Sequence, residues 1–432
     1  MPLVYSQRKR ARVIYDKVQE LPRLGGPASG APPPYVVATG QHSHAIIGID
    51  IGSKFARTAV CEQRHPMMVA TAPMPTAVRV NPANGQVSAG YGVDRVQEEG
   101  LISGLRGLLG SDWCFEGEGF SYDAEQLMGT VLAQVKALAA QSLGKPISKA
   151  VLTVPTAFTC SQRTALRQAA ERTGLQVLQL INEPTAAALA HCYLAPEMEG
   201  TYLLFNLGAS MFSTSVLEFK RGILEVKASS GDNNLGIDSF DFAIIDWLFE
   251  EFSKQHGLEV AVDPPTLKLF KDVVEQARKD LKMAPQAHIR LTSVNTIGGG
   301  YSKMLSGMRC NVFREIKREQ FKALVEPLVS RTMKHVDRVL EDSRLTDKEI
   351  DHVLVIGPGA DVPAIDLPLK ERFGKELWGN SDGNAPALGA AIQASLLTNN
   401  ARDFVVWDVL AVPVNIELKG QTKTVIAKNT PL

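Results

Sequence analysis

From Ala45 onward, short and mostly aliphatic runs alternate with longer stretches in which apolar residues recur every three or four positions. The runs Ala45–Ile51, Val151–Val154, Tyr202–Asn206 and Val353–Ile356 are brief and mostly aliphatic, the pattern of strands covered on both faces. Leu127, Val131, Val135 and Leu138 follow helical spacing, with Ser121 or Asp123 as the candidate N-cap. Leu324, Leu328, Val336 and Leu340 make a second stripe. Pro327 is expected to kink it, because proline removes an amide donor and crowds the preceding turn. Strands alternating with helices predict a layered α/β fold.

One pattern occurs twice. Ile49-Asp50-Ile51-Gly52, with Val60 eight residues past the glycine, matches Phe205-Asn206-Leu207-Gly208 and Val216 at the same spacing. Each copy reads as strand, polar residue, glycine turn, strand. Glycine there permits positive φ and lets backbone N–H groups converge on a phosphate. Two such hairpins facing each other would pinch a nucleotide, with the polar strand-end residues toward the metal and the breaking bond.

The first 44 residues lack the alternation. A basic patch, Arg8-Lys9-Arg10-Ala11-Arg12, precedes Gly25-Gly26-Pro27 and Ala31-Pro32-Pro33-Pro34, a composition that disfavours helix and sheet alike. The patch leaves a nuclear signal, a mitochondrial presequence, a docking arm and a plain solvated run open; Asp16 and Glu20 weigh against the presequence. Length and charge narrow the rest. At roughly 150 residues per domain, 432 residues allow two or three domains. Forty-six basic side chains balance forty-six acidic ones, which argues against a generic nucleic-acid binder. No apolar run has the length of a membrane span. The five cysteines are scattered, without a CxxC pair, so neither a disulfide scaffold nor a zinc site is expected.

Three further segments carry a resemblance. The first runs from Val151-Leu-Thr-Val-Pro-Thr-Ala-Phe158 through Ser161-Gln-Arg163 and Gly174 to Ile181-Asn-Glu-Pro-Thr-Ala-Ala-Ala-Leu189. The second runs from Gly222 through Gly231-Asp-Asn-Asn-Leu-Gly236 to Phe240-Asp241, and the third from His352-Val-Leu-Val-Ile-Gly357 to Ala387-Leu-Gly-Ala-Ala-Ile-Gln393. In this order they resemble the nucleotide-binding domain of the heat-shock protein 70 family. Asp403-Phe-Val-Val-Trp-Asp408 is similar to that family's linker. Sugar kinases and actins share the fold without the Asn-Glu-Pro-Thr-Ala-Ala-Ala stretch.

The resemblance implies the actin-like ATPase fold: two lobes, each of two subdomains, around a nucleotide cleft that takes ATP or ADP with Mg2+. It divides the chain into an extension (1–44), lobe I (45–195), lobe II (196–400), and a linker with a β-hairpin stub (401–432). Asp50, Gly52 and Ser53 match the first phosphate loop, with Asp50 on the metal through water. Glu183 matches the catalytic glutamate, and Arg106 falls near the catalytic lysine. Glu275, Arg278 and Lys279 match positions around adenine and ribose, and Gly208 and Gly357 match further loop glycines. Pro155 and Arg163, with Asp403 and Asp408 of the linker, match interdomain coupling positions. Gln179 stands where the family has an arginine that engages J-domain cochaperones, which argues against that partnership.

The second hairpin departs from the family's Asp-Leu-Gly-Gly-Gly-Thr-Phe-Asp. It reads Asn206-Leu207-Gly208-Ala209-Ser210-Met211-Phe212-Ser213, so two carboxylates become neutral and a hydroxyl becomes a bulky thioether. Asparagine can bond a water but brings no anionic charge to a metal shell. Ala209 and Ser210 replace glycines where positive φ is expected. Pro358 and Asp361 alter the third loop, removing a donor and placing an anion where a cation is usual, and Gly383 replaces a further aspartate. Pro413–Leu418 and Thr422–Ala427 read as one hairpin, too small to stand alone in water. The sequence therefore points to a family member with a degenerate ATPase site. It would act as a nucleotide-binding or pseudoenzyme module in a protein assembly, or as a cochaperone-like partner, with ATP binding left open. The alternative is an active ATP-dependent chaperone whose peptide-binding domain is missing from this chain. Partners are expected to be proteins, not nucleic acid or membrane. The cytoplasm is the expected compartment, with nucleus or mitochondrion left open by the basic N-terminus.

Overall fold

Two six-stranded sheets with matching topology organise the molecule. The computed structural model describes residues 45–431 apart from 71, 94–99, 262, 299–308, 380–381, 399–403 and 419–420. The expected extension 1–44 and linker residue Asp403 lie outside the described residues.

In the first sheet the order is Gln176–Asn182, Ile147–Val154, Ala45–Ile51, Phe55–Glu62, His65–Met68, with Met74–Pro75 also pairing with Phe55–Glu62. The first three run parallel, and the next two fold back antiparallel. The second sheet repeats this plan with Leu377–Trp378, His352–Ile356, Gly200–Leu207, Phe212–Lys220 and Ile223–Asp232, and adds Val405–Trp407 at its edge. The sequence repeat is thus a structural one. Asp50 faces Arg57 across the first hairpin, and Asn206 faces Ser213 across the second. The four predicted strands are all present, the last three each longer than their aliphatic run.

Between the sheets cross two alanine-rich helices, Glu183–Leu194 and Ala385–Thr398. Small residues let them approach closely. A Cβ on Gly389 would lie 1.7 Å from the Ala186 carbonyl oxygen, and one on Gly48 would lie 2.1 Å from the Ala391 nitrogen. The alanine-rich motifs in both segments therefore have a packing reason: larger side chains would force the layers apart. Ala387 and Ala391 also pack on Ala59 of the first sheet, so this late helix crosses the expected division of the chain at 195/196.

Asp123, of the two candidate caps, closes the helix Ala124–Leu143 through a capping box with Gln126, and Gly144 ends it in the left-handed region. Leu127, Val131 and Val135 are buried, and Leu138 is half-buried. The helix Arg318–Ser343 runs on past Pro327. Its buried face is Phe321, Val325, Val329, Val336 and Leu340, so predicted Leu324 and Leu328 sit at the margin. Smaller sheets flank the large ones: Val78–Val80 with Val87–Ala89 and Leu101–Ile102, and Leu258–Val260 with Gln286–Gly298 and Arg309–Lys317. The expected terminal hairpin is Val414–Leu418 paired with Gln421–Ile426.

Candidate active site

The two glycine turns lie at equivalent places on their hairpins. Gly52 N–H donates to the Phe55 carbonyl, and Gly208 N–H to the Met211 carbonyl, both at 2.9 Å. Neither glycine has positive φ. What each position demands is space: a Cβ on Gly52 would lie 2.7 Å from the Phe55 oxygen, and one on Gly208 would lie 3.1 Å from the Met211 oxygen. Ala209 and Ser210 also avoid positive φ, so their loss of glycine costs no backbone strain. Positive φ, expected at these positions, is absent because the turn closes through the Gly208 amide and the Met211 carbonyl in ordinary backbone regions.

Asp50 is buried and accepts a 2.5 Å hydrogen bond from the Thr153 hydroxyl. Burial, and then repulsion from Glu183, push its carboxyl up to about 6. Arg106 is the centre of the site. Its guanidinium pairs with Glu183 and donates to the Ile51 carbonyl and the Ser53 hydroxyl, each at 2.9 Å. Arg106 Nε is buried with no hydrogen-bond partner. Glycine at 104, in the left-handed region, starts the short helix Leu105–Leu108 that carries Arg106 inward.

On the second hairpin the two neutral residues satisfy each other: Asn206 Nδ2 donates to Ser213 Oγ at 3.3 Å, and both are buried. Gly357 requires its glycine, with φ of 78° and no room for a Cβ beside the Leu207 carbonyl and the Asn206 side chain. Pro358 opens the short turn Pro358–Asp361 behind it. Gly383, also at positive φ, lies under the Arg57 guanidinium, which donates to the Asp382 carbonyl.

A family model described as Hsp70 protein matches residues 107–432. The chain belongs to the Hsp70 family. Its two-sheet architecture is that family's actin-like ATPase fold, and the chain carries an Hsp70-type nucleotide-binding domain. Domains of this family generally bind ATP or ADP with Mg2+, and its members typically interact with other proteins.

The three positions expected around adenosine divide. Glu275 and Lys279 pair with each other at 2.8 Å on the surface of helix Pro264–Met283. Arg278 is almost wholly buried and bonds Asp241 at 2.7 Å, so its guanidinium is committed to the interior. At the opposite end, Arg163 donates to the Asn182 side chain at 2.6 Å, and Asn182 in turn donates to Asp408 at 2.9 Å. Asp408 is buried, its carboxyl raised by burial, in the segment after strand Val405–Trp407, which pairs with Ile223–Glu225. Pro155 is buried beside this cluster, in the turn that accepts the Phe158 amide. Gln179 receives a bond from Gln393 at 2.8 Å. Asp408→Ala is expected to free the edge strand Val405–Trp407, read as lost hydrogen-exchange protection at Val405–Val409.

Sequence reasoning brought together Asp50, Arg106, Glu183 and Ser53, and separately Asn206, Ser213 and Gly357. It missed Thr153, Lys54 and Asp238. Thr153 sits inside the Val151-Leu-Thr-Val-Pro155 run, a polar residue in an apolar strand, which was a readable signal. Lys54 bonds Asp238 at 3.2 Å, a pairing that no local pattern announces. Among the described residues, no cluster of three or more His, Cys, Asp or Glu is placed to hold a metal, and no helix is long and apolar enough to cross a membrane.

Proposed function

We propose that this chain is an Hsp70-family nucleotide-binding module that has lost efficient ATP hydrolysis and works through protein contacts. The buried Asn206–Ser213 pair carries the reading. Phosphoryl transfer needs fixed charge around the cation and the developing leaving group. This hairpin offers two neutral side chains already bonded to each other. Glu183 adds to the deficit: its charge is already matched by the Arg106 guanidinium, bonded at Oε1. The donor set around the two hairpins does not fit a Mg2+ shell: Asp50 brings a carboxylate, Glu183 is paired with Arg106, and Asn206 and Ser213 are neutral. A phosphate fits better, because the orphaned Nε of Arg106 lacks an anionic acceptor. Nucleotide binding without turnover is the function these residues support.

Loss of such groups commonly costs about 100-fold or more in rate. ATP turnover by the purified chain is therefore expected to match that of Glu183→Ala within the background, while calorimetry with ATP and ADP reads binding separately. Robust turnover abolished by Glu183→Ala overturns the proposal.

A second reading has its own observation. Asp408, at a position expected to couple the domains, accepts a bond from Asn182, which supports retained coupling. That favours an ATP-driven chaperone acting with a peptide-binding domain outside this chain, and the same turnover assay separates the two.

A further inference from the structure

The two phosphate hairpins are bonded to each other. Ser53 Oγ of the first lies 2.7 Å from Ser210 Oγ of the second. Met211, next along the second hairpin, packs against the hydrophobic core of the first sheet. Its sulfur accepts from Arg106 Nη2 at 3.7 Å. Lys54, at the tip of the first hairpin, crosses to Asp238 at 3.2 Å and Glu275 at 3.9 Å. At the far end the C-terminal segment ties down the linker. Leu410 N–H donates to the Thr430 carbonyl at 2.9 Å, while Lys428 bonds Asp342 on helix Arg318–Ser343 at 2.6 Å.

We infer that the chain closes its own cleft: Ser210 and Met211 latch the second hairpin onto the first, holding a closed, linker-docked state without nucleotide. The hairpin that has lost its two carboxylates also supplies the latch, through its neighbouring residues Ser210 and Met211. A hydroxyl at 210 reaches Ser53, and a long, adaptable thioether at 211 fills apolar space in the opposite half. Where a phosphate chain would bridge the two hairpins, side chains of this protein bridge them already. A nucleotide must displace these contacts to enter, which lowers its apparent affinity by the fraction of time the latch is shut. This goes beyond the loss of hydrolysis: a closed latch is compatible with either turnover result.

Hydrogen exchange on the full chain tests it, read at the Gly52–Phe55 and Gly208–Met211 amides with and without ATP and Mg2+. In wild type, these amides are expected to be protected at least about 10-fold over the Ser210→Gly/Met211→Thr double variant, both free of nucleotide. Added ATP should change wild-type protection by less than about 10-fold. Lys54→Met serves as a second variant, since it removes the cross-cleft pairs to Asp238 and Glu275 from an exposed side chain; a smaller loss in the same loops is expected. Equal protection in wild type and double variant overturns the latch, as does a wild type whose loops become protected only with ATP. ATP turnover measured on the same samples tests the hydrolysis proposal without bearing on the exchange result.

Discussion

Arg278→Ala is expected to destabilise the folded chain by about 3–5 kcal/mol, the cost of breaking a buried ion pair from one side. Arg278 is only 2% exposed and Asp241 4%, and Arg278 Nε lies 2.7 Å from the Asp241 carboxylate. Burial pushes that carboxyl up while the guanidinium pulls it down, so the aspartate depends on its partner. Without Arg278 the carboxylate must either stay charged in the interior or take up a proton, and a large side-chain volume empties beside it. Urea unfolding followed by circular dichroism measures the effect. The result also decides what Arg278 does. A surface clamp around adenosine would cost under about 0.5 kcal/mol to truncate and would lower nucleotide affinity instead. A fall of several kcal/mol assigns the residue to the fold.

Asp50→Asn is expected to stabilise the protein by roughly 3 kcal/mol at pH 7 and above. The direction follows from a folded-state pKa raised from 3.8 to about 6. Between those values the folded state binds the proton more tightly than the unfolded one, so wild-type stability falls as pH rises through them, and the full cost stands above pH 6. Asparagine keeps the acceptor for the Thr153 hydroxyl and removes the charge that burial and Glu183 oppose. The advantage of the variant should shrink to about half near pH 5 and vanish below the unfolded-state pKa. Urea midpoints for both proteins across this range measure it; a pH-independent difference, or a destabilised variant, contradicts the assignment. A carboxylate kept where it costs stability fits a site retained for binding.

The fold was largely legible because its signals are local. Four aliphatic runs marked the centres of both sheets, and the Asp50/Asn206 repeat anticipated the duplicated hairpins, since strand pattern and turn spacing are written in consecutive residues. Edges were less legible. Leu324 and Leu328 fit a helical stripe, but the buried face turned out to be Phe321, Val325 and Val329, because which flank of an apolar stripe is covered depends on what packs there. The glycines at 52 and 208 were readable as necessary, though not as spatial requirements, since φ is a property of the folded turn.

By itself, then, the sequence determined the family, the two hairpins and the neutral residues at Asn206 and Ser213, because side-chain chemistry and short spacings survive without a structure. Tertiary structure decided the partners. Arg278 meets Asp241 37 positions away, Ser53 meets Ser210 157 positions away, and Asn182 meets Asp408 226 positions away. Whether a cation on a helix faces a ligand or an interior carboxylate, and whether two loops hold a phosphate or each other, depends on burial and on distance. Both are set only when the layers close.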